Sequence, residues 1–467
     1  MGDNRFKRRL GRAVLGLAAL AATGPAFAQA SAIEALRDKA LDDSVAWEIT
    51  EGLTTEVGQR LAGTEAEARA RDWAVARLTA LGFSNVRVES FDMPVWVRGQ
   101  EAVDVVAPFP QKLVAAALGN SGATPEAGIT AEVAAFPSIA ALEAAPDSAV
   151  KGRIVYLTHN MGRTQDGSSY GAFGTVRRLG PSAASRKGAA AIVIRSIGTD
   201  HHRNPHTGVQ SWGAGVTPIP AAALSVPDAE QLDRILKRGK PVTLRLVLTP
   251  RNIGTRQSGN VIAEVPGSDP SAGIVLVGCH LDSWDLGTGA IDDAAGCGIV
   301  AAAAKQVMAA GIRPKRTIRV VWFGAEEVGL FGGLAYRDRH KAELHALLAE
   351  ADFGAGRVWK IDSNVVEAAL PGVKALAALL APLGIAAGGN DARGGSDIGP
   401  LGDTGVPIIS LRQDGTQYFD LHHTPDDTLD KVDPQALRQN VSAWATMIGH
   451  FASETGPLGP VAPRPSR

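Results

Sequence analysis

The chain reads IVLVGCHLDSWD over residues 274–285, an apolar run that ends in a cluster of polar and charged side chains. The run at residues 274–279 is rich in β-branched residues, which is typical of a strand that is covered on both faces. An Ala-rich stretch at residues 294–310 predicts a buried helix, and residues 318–323 predict a second buried strand. This alternation predicts an α/β domain with a mixed, largely parallel sheet that is flanked by helices.

The segment between about residues 100 and 250 has a different sequence pattern from the rest of the chain. Short apolar runs that are separated by Gly and Pro turns lie at residues 152–157, 189–194 and 242–248. That pattern predicts a second, strand-rich domain with a few helices. We place it at residues 111–252, between two parts of the α/β domain at residues 29–110 and 253–455.

The two ends of the chain differ in composition from the rest. Residues 1–28 are typical of a cleaved secretory signal, with a basic start, a short apolar segment and the small-x-small sequence Ala26-Phe27-Ala28. The apolar segment is too short to span a bilayer. We therefore expect export to the periplasm or the medium and no membrane association after cleavage. The Pro-rich residues 456–467 are typical of a disordered tail.

The charge balance and the cysteine count limit the partners and ligands of the chain. Of its 467 residues, 47 are Lys or Arg and 48 are Asp or Glu, which gives a formal net charge of -1. Proteins bind nucleic acid through a basic surface. The near-equal numbers of acidic and basic residues do not indicate such a surface, so we expect no nucleic-acid partner. The two cysteines, Cys279 and Cys297, do not have a zinc-thiolate spacing, and we expect them to be reduced, buried thiols.

Polar residues follow the first predicted strand directly. His280 ends the strand, and Asp282 can point the same way and orient the imidazole, as carboxylates do beside metal-binding histidines. Asp292 comes just before the Ala-rich helix. A carboxylate is favoured at a helix start, and its two oxygens can bridge two cations. Taken alone, Asp292 would be interpreted as a helix cap.

Acidic residues also follow the next predicted strands. Glu326 and Glu327 come after residues 318–323, and neighbours in an extended segment point apart. One of them can therefore bind metal while the other acts as a general base. Asp352 lies at another predicted strand end, and Asp362 is a rival for the same position because its setting is similar.

A short stretch near the C-terminus contains two adjacent histidines, His422 and His423, beside Asp427. Such a pair next to an acid is better explained as a metal ligand with its supporting residue than as two structural histidines. Two imidazoles with bridging and terminal carboxylates suit two zinc ions per chain. The complete set, in chain order, is His280, Asp292, Glu326, Glu327, Asp352 and His423.

The motifs around these residues resemble those of the M28 family of co-catalytic zinc peptidases and, within it, of the carboxypeptidase Q branch. Residues 278–285 with Asp292-Asp293 are similar to the first metal motif of that branch, and residues 313–327 are similar to the second. His423-Thr424 with Asp427-Thr428 fits the last histidine motif, although the branch more usually has Ser after this His. Further segments that resemble the branch lie at residues 205–210 and 396–398. The resemblance covers nearly all of the mature chain.

The resemblance implies a role for each metal ligand. His280 and Asp352 would hold one zinc ion, and Glu327 and His423 would hold the other. Asp292 would bridge the two ions. Members of the family carry a protease-associated domain inserted in the catalytic domain, so the resemblance also implies that the strand-rich segment is such a domain.

The resemblance further implies a mechanism and contacts with the substrate. Glu326 would act as general base on a hydroxide that bridges the metals, and Asp282 would orient His280. Apart from the resemblance, His422 lies beside the metal histidine, and we expect it to donate to the oxyanion of the reaction. The loop with His206 is expected to reach over the zinc cleft and hold a substrate terminus, from the same chain or from the partner in a homodimer.

The predicted function is that of a dizinc exopeptidase that hydrolyses short peptides or dipeptides, as carboxypeptidase Q does. An aminopeptidase of the same fold has the same metal set and is the alternative. A glutaminyl cyclase-like relative with a single zinc and an inactive receptor-like relative are disfavoured, because no metal-site residue is missing from the chain.

Overall fold

The structure is a computed structural model that describes residues 25–465. Its helices are α1 (Pro25–Ala40), α2 (Val45–Gly52), α3 (Glu65–Ala80), α4 (Ile139–Ala144), α5 (Ser168–Arg186), α6 (Val226–Leu236), α7 (Ala295–Ala309), α8 (Phe331–His340), α9 (Leu370–Leu380), α10 (Gly399–Gly402), α11 (Tyr418–Leu421) and α12 (Pro434–Ser453). Its strands are β1 (Ser84–Val97), β2 (Glu101–Ala107), β3 (Gln111–Leu113), β4 (Ala115–Ala117), β5 (Ile129–Phe136), β6 (Ile154–Leu157), β7 (Ala191–Arg195), β8 (Ala221–Leu224), β9 (Thr243–Leu248), β10 (Arg251–Val265), β11 (Ile274–His280), β12 (Thr317–Phe323), β13 (His345–Glu350), β14 (Val358–Asn364), β15 (Ala386–Ala387) and β16 (Ile408–Gln413).

The first of two sheets has the strand order β1-β10-β12-β11-β13-β16-β14-β15. Its four central strands β12, β11, β13 and β16 run parallel, whereas β1, β10 and β14 add antiparallel pairs. Strands β11 and β12 are apolar and buried along almost their whole length, as expected for strands that are covered on both faces. The prediction of a mixed α/β fold is therefore confirmed.

The helix that follows the first buried strand explains the Ala-rich sequence. Helix α7 is buried over most of its length, and small residues let neighbouring backbones come close. A methyl group at Gly298, for example, would overlap the carbonyl oxygen of Ala46 in α2. Helix α12 packs on α7 and on α1 and buries Trp444 completely. The helix predicted at residues 294–310 is confirmed.

The second sheet is built from residues between β1 and β10 and has the order β3-β2-β9-β5-β6-β7-β8-β4. Strands β5 to β8 are parallel, and α4, α5 and α6 connect or flank them. We call residues 101–248 the second unit and the rest of the described chain the first unit. The second unit begins earlier than the predicted boundary at residue 111, because β2 pairs with β9 and belongs to the second sheet.

The C-terminal tail differs from the expected disorder as far as the structure describes it. Leu458 is buried, and its carbonyl oxygen accepts a hydrogen bond from the backbone N–H of Val366. Val461 and Arg464 donate their backbone N–H groups to carbonyl oxygens at residues 403–405. Proline disfavours helix and central strand but allows an extended segment, and this one lies along the surface of the first unit.

The expectation of two reduced cysteines is wrong. Cys279 and Cys297 form a disulfide with their Cα atoms 5.2 Å apart, within the range that a disulfide requires. Cys279 lies near the end of β11 and Cys297 in the first turn of α7, and the helix packs back onto the strand that precedes it. The spacing of the two cysteines in the sequence does not reveal this close approach.

The basic and apolar parts of the predicted signal sequence lie outside the described residues. Helix α1 begins at Pro25, and its Ile33 and Leu36 are buried beside Gly449 of α12. Within residues 25–465, no helix is both long enough and apolar enough to cross a membrane.

Candidate metal centre

Three neighbouring parallel strands, β12, β11 and β13, end at the same edge of the first sheet. Ligands of open α/β sheets collect at such an edge. The turn before α7 and the turn after α11 approach the same place. These five segments bring together, in chain order, His280, Asp292, Glu326, Glu327, Asp352, His422 and His423.

Asp292 lies at the centre of this cluster and divides its two carboxylate oxygens between two histidines. Oδ1 is 3.0 Å from Nε2 of His280, and Oδ2 is 3.3 Å from Nε2 of His423. On the first side, Oδ1 of Asp352 lies 3.5 Å from the same nitrogen of His280. On the second side, Oε2 of Glu327 lies 2.9 Å from the same nitrogen of His423. Two pairs of one imidazole and one carboxylate therefore share Asp292.

Unpaired atoms in the cluster indicate that it is built for cations. Oδ2 of Asp292 and Oε1 of Glu327 are buried and have no hydrogen-bond partner, which is costly unless a cation compensates them. Burial, to which the charge of Asp292 adds, raises the pKa of Glu327 well above its usual range. Imidazole and carboxylate groups are ligands that zinc prefers. The residues present fit a cation on each side of Asp292.

Asp282 supports the cluster through its backbone carbonyl as well as through its carboxylate. Nδ1 of His280 lies 3.0 Å from the backbone carbonyl oxygen of Asp282, whereas the nearest carboxylate oxygen of Asp282 is 3.8 Å away. A carbonyl acceptor requires the proton on Nδ1 and leaves Nε2 free for a metal. The carboxylate of Asp282 accepts the backbone N–H groups of Glu326 and Glu327, at 3.0 and 3.3 Å.

Glu326 lines a cavity of about 300 Å³ beside the cluster, together with Asp292 and His423. Burial, followed by the negative charge of Asp352, raises the pKa of Glu326 to about 8. A carboxyl group that can exchange a proton near neutral pH, next to the ligand groups, has the properties of a general base and acid.

His422 also lines the cavity, and its ring stacks on that of His423 with the centroids 3.5 Å apart. Burial and the neighbouring His423 lower the pKa of His422 well below its usual range, so the imidazole is neutral. Its Nδ1 has no hydrogen-bond partner, and its Nε2 is 3.5 Å from Oδ2 of Asp292. A neutral imidazole with one free nitrogen can donate to a group that is bound in the cavity.

Asp352 and its rival Asp362 have different surroundings. Asp352 lies in the cluster, as described above. Asp362 lies in β14, where its Oδ2 is 3.2 Å from Lys360 Nζ and 3.2 Å from Arg412 Nε. The carboxylate of Asp362 is thus already compensated by two cations and does not reach the cluster.

The loop with His206 approaches the metal centre within the same chain, but its histidine does not face the cavity. His206 is buried, with Nδ1 2.8 Å from the carbonyl oxygen of His422 and Nε2 2.9 Å from Oδ1 of Asp200. Nδ1 therefore holds the backbone that carries the two histidines, and Nε2 is occupied by Asp200. Val209 is the residue of this loop that lines the cavity. The expectation of a substrate contact by His206 does not fit this geometry.

Sequence reasoning missed a supporting arginine. Arg60 is fully buried and donates to the carbonyl oxygens of Leu281, Thr288 and Gly289, which precede the turn with Asp292. The negative charge of Asp427, which itself accepts the backbone N–H groups of residues 290 and 291, lies nearby. Arg60 follows α2 in a polar stretch far from any motif, so no local signal identified it.

The comparisons with known proteins identify the family of the chain. The model of peptidase family M28 matches residues 260–448. Carboxypeptidase Q of Mus musculus is 34% identical over 85% of this chain and 83% of its own length. A crystal structure of a peptidase M28 precursor from Shewanella amazonensis is 47% identical and has a TM-score of 0.91. The match covers 94% of this chain and 99% of that chain. A zinc aminopeptidase from Bacillus subtilis shares the fold, at 19% identity and a TM-score of 0.63 over 90% of this chain and 97% of its own.

The fold and the cluster at its sheet edge define a metallo-exopeptidase, a hydrolase that acts on peptide bonds. The chain belongs to peptidase family M28, and carboxypeptidase Q is a homologue over most of its length. Zinc is the metal that the family implies, and the histidines and carboxylates described above fit it.

Proposed function

We propose that this protein is a dizinc-dependent exopeptidase, similar to carboxypeptidase Q, that hydrolyses short peptides or dipeptides. The observation that carries the proposal is the position of Asp292, whose two oxygens face two different imidazole–carboxylate pairs. Co-catalytic hydrolases use a carboxylate shared in this way. The similarity to carboxypeptidase Q over 85% of the chain supports the same class of substrate.

The proposed ligand set uses five side chains for two zinc ions per chain. His280 and Asp352 would hold one ion, His423 and Glu327 would hold the other, and Asp292 would be shared between them. Zinc ions bound there would polarise the peptide carbonyl and lower the pKa of a shared water molecule. The unpaired oxygens of Asp292 and Glu327 support this assignment.

Glu326 is the proposed general base. It lines the cavity, it belongs to neither imidazole–carboxylate pair, and its backbone is fixed by Asp282. It takes the proton of the attacking water and passes it to the leaving amine. In the metal-free cluster its pKa is raised to about 8, and positive charge nearby would lower it, toward a value suited to accepting a proton at neutral pH.

His422 is the proposed hydrogen-bond donor to the oxyanion that forms at the peptide carbonyl. It remains neutral because burial and His423 lower its pKa, so one ring nitrogen carries a proton that it can donate. A fixed donor that needs no rearrangement during the reaction stabilises the developing charge more effectively than water does.

An aminopeptidase is the alternative function, and one observation fits it as well as a dipeptidase. Glu350 lines a cavity of about 210 Å³ that adjoins the first and shares Asp352 and Ser396 with it. Burial, with the charge of Asp352, raises the pKa of Glu350 to about 7. An acid in this place can pair with the free ammonium group of a substrate, which dipeptidases and aminopeptidases both require.

We also propose export to the periplasm or the medium and assembly as a homodimer. The basic and apolar start of the sequence supports export. The dimer and the identification of the second unit as a protease-associated domain rest on the resemblance to the family. N-terminal sequencing of the exported protein and light scattering on purified protein test the two proposals directly.

The decisive experiment combines metal analysis with an assay on peptides of defined ends. Protein with two zinc ions per chain should hydrolyse free dipeptides, and chelation should abolish the activity until zinc is restored. Blocking the N-terminus or the C-terminus of the same dipeptide tells which end is recognised. A protein that binds two zinc ions and cleaves none of these peptides would rule out the proposal.

A further inference from the structure

Two adjacent arginines form one side of the cavity beside the metal centre. Arg177 and Arg178 lie in α5 of the second unit, and both line the cavity into which Asp292, Glu326 and His423 project from the first unit. Two cations from one unit and the carboxylates of the other therefore share a space of about 300 Å³.

Neither guanidinium has a carboxylate partner within residues 25–465. Arg177 is 4% exposed and lies over the ring of Tyr170. Its Nη1 is 3.3 Å from both the carbonyl oxygen of Thr207 and Nδ1 of His423, while its Nε has no partner. The half-buried side chain of Arg178 forms no hydrogen bond and no ion pair with any described residue. Cations that are buried without an anion cost free energy, so such a pair is retained at a cost to stability.

The surroundings leave room for both guanidinium groups. A side chain at Gly208 would overlap the guanidinium of Arg177, and one at Gly174, a turn before Arg178 in α5, would overlap the guanidinium of Arg178. Elsewhere in the protein a similarly buried arginine, Arg98, is compensated by two carboxylates. Arg60, which is also buried, is satisfied by carbonyl oxygens. Arg178 has neither kind of partner among the described residues, so it is the guanidinium of the pair that can bind an anion.

The geometry points to Arg177 and Arg178 as the binding site for the C-terminal carboxylate of the substrate, on the leaving-group side of the cleaved bond. The inference rests on the proposed function and names the feature that selects its substrates. A guanidinium binds a carboxylate through two parallel hydrogen bonds. Arg178 has no competing partner and makes these bonds, whereas Arg177, which is held by Thr207, adds positive charge.

Such a site makes the protein a carboxypeptidase or dipeptidase rather than an aminopeptidase. One residue spans only about 3.3–3.6 Å of extended chain, so a carboxylate in this cavity lies close after the cleaved bond. A peptide amide or a longer peptide leaves the arginines without an anion. Sites that are built to bind a particular polar group reject analogues without it strongly, because their own buried groups are then left unpaired.

The test compares two substrates and three variants of the zinc-loaded protein. The substrates are a dipeptide with a free carboxylate and the same dipeptide as its C-terminal amide. Arg178→Gln should lower kcat/KM for the free dipeptide about 10- to 100-fold, as expected for the loss of charge-assisted hydrogen bonds, and leave the slow cleavage of the amide unchanged. Arg178→Lys should retain part of the selectivity, because it keeps the charge but not the planar fork. Arg186→Gln, at the exposed end of α5, is the matched control and should leave both rates unchanged.

Binding in an inactive background separates this inference from the proposed function. In a Glu326→Gln protein, calorimetry should show that Arg178→Gln weakens binding of the free dipeptide by a similar factor and does not affect the amide. Equal loss for both substrates, or no loss for either, overturns the inference while dipeptide hydrolysis by the parent protein upholds the function. Arg178-dependent binding by a parent protein that hydrolyses no peptide upholds the inference and overturns the function.

Discussion

The carbonyl oxygen of Thr207 lies 3.2 Å from Nδ1 of His423, so the second unit holds an imidazole of the metal centre in the first. The backbone N–H of Thr207 in turn donates to the carbonyl oxygen of His423 at 3.1 Å. A carbonyl acceptor fixes the proton on Nδ1 and turns Nε2 toward Asp292 and Glu327. Both units therefore contribute to the candidate metal centre, because Thr207 of the second unit orients His423 of the first.

Replacement of His206 tests this support. His206→Ala should lower zinc affinity about 10- to 100-fold, because it releases the backbone of His422 and His423. It should also cost about 1–3 kcal/mol of the free energy of unfolding, since the buried carboxylate of Asp200 loses its partner. Zinc titration and denaturant unfolding measure the two effects. The exposed His202→Ala is the control, and a raised KM with unchanged zinc affinity would restore the role as a substrate contact.

The neighbouring glutamates should separate catalysis from metal binding. Glu326→Gln should keep the zinc content and lose hydrolysis by about 10²–10⁴-fold, because the amide cannot accept the proton. Glu327→Gln should lose zinc, since its carboxylate lies 2.9 Å from Nε2 of His423. Metal analysis and kcat on the same preparations distinguish the two roles. The reverse pattern of zinc loss would exchange the assignments.

The sequence predicted the parallel centre of the sheet and the residues at its edge because both depend on local patterns. Apolar runs such as residues 274–279 identify strands, and polar residues at their ends share an edge once the strands are parallel. Contacts between distant segments leave no such pattern. The support of His423 by Thr207, the three carbonyl groups bound by Arg60 and the approach of α7 to β11 all depend on tertiary packing.

The two candidate aspartates predict opposite effects on zinc. Asp352→Asn should lower zinc occupancy, because Asp352 Oδ1 lies 3.5 Å from the nitrogen of His280 that faces Asp292. Asp362→Asn should leave occupancy unchanged, because Asp362 instead pairs with Lys360 and Arg412. Zinc content per chain after dialysis against a weak chelator measures both. Loss of zinc from the Asp362 variant alone would reverse the ligand assignment.

The disulfide predicts a simple chemical result. Thiol titration of the unfolded protein should find no free thiol before reduction and two after it. Replacing both Cys279 and Cys297 by Ala should lower the free energy of unfolding by about 3 kcal/mol, the effect expected for a closed loop of this size. Two free thiols in unreduced protein exported under oxidising conditions would contradict the disulfide.

The buried carboxyl groups determine how the stability of the metal-free protein depends on pH. Burial is the main cause that raises the pKa of four of them, to about 8 for Glu326 and about 7 for Glu67, Glu350 and Asp427. The folded protein then holds protons that the unfolded chain has already released. Folding stability attributable to these groups therefore falls as pH rises from the usual pKa of a carboxyl group to about 8.

Buried histidines act in the opposite direction over a lower range. Burial lowers the pKa values of His159, His345 and His423 to about 4, so stability rises as pH increases from about 4 to their usual pKa of 6.5 and is then constant. The two effects oppose each other below pH 6.5. Between about pH 6.5 and 8 the effect of the carboxyl groups remains, and His280 acts in the same direction, because Asp282 and Asp292 raise its pKa well above its usual value despite burial.

The melting temperature of the protein in chelator should therefore fall between pH 6.5 and pH 8. Bound cations offset the negative charge at the metal centre, so zinc should flatten this part of the profile. Glu326→Gln, which removes the group with the highest of the four pKa values, should make the fall in chelator shallower. Thermal unfolding at several pH values, with chelator and with zinc, measures the fall in chelator, the flattening by zinc and the effect of Glu326→Gln. A melting temperature that rises over this range in chelator would show that these carboxyl groups do not retain their protons in the folded state.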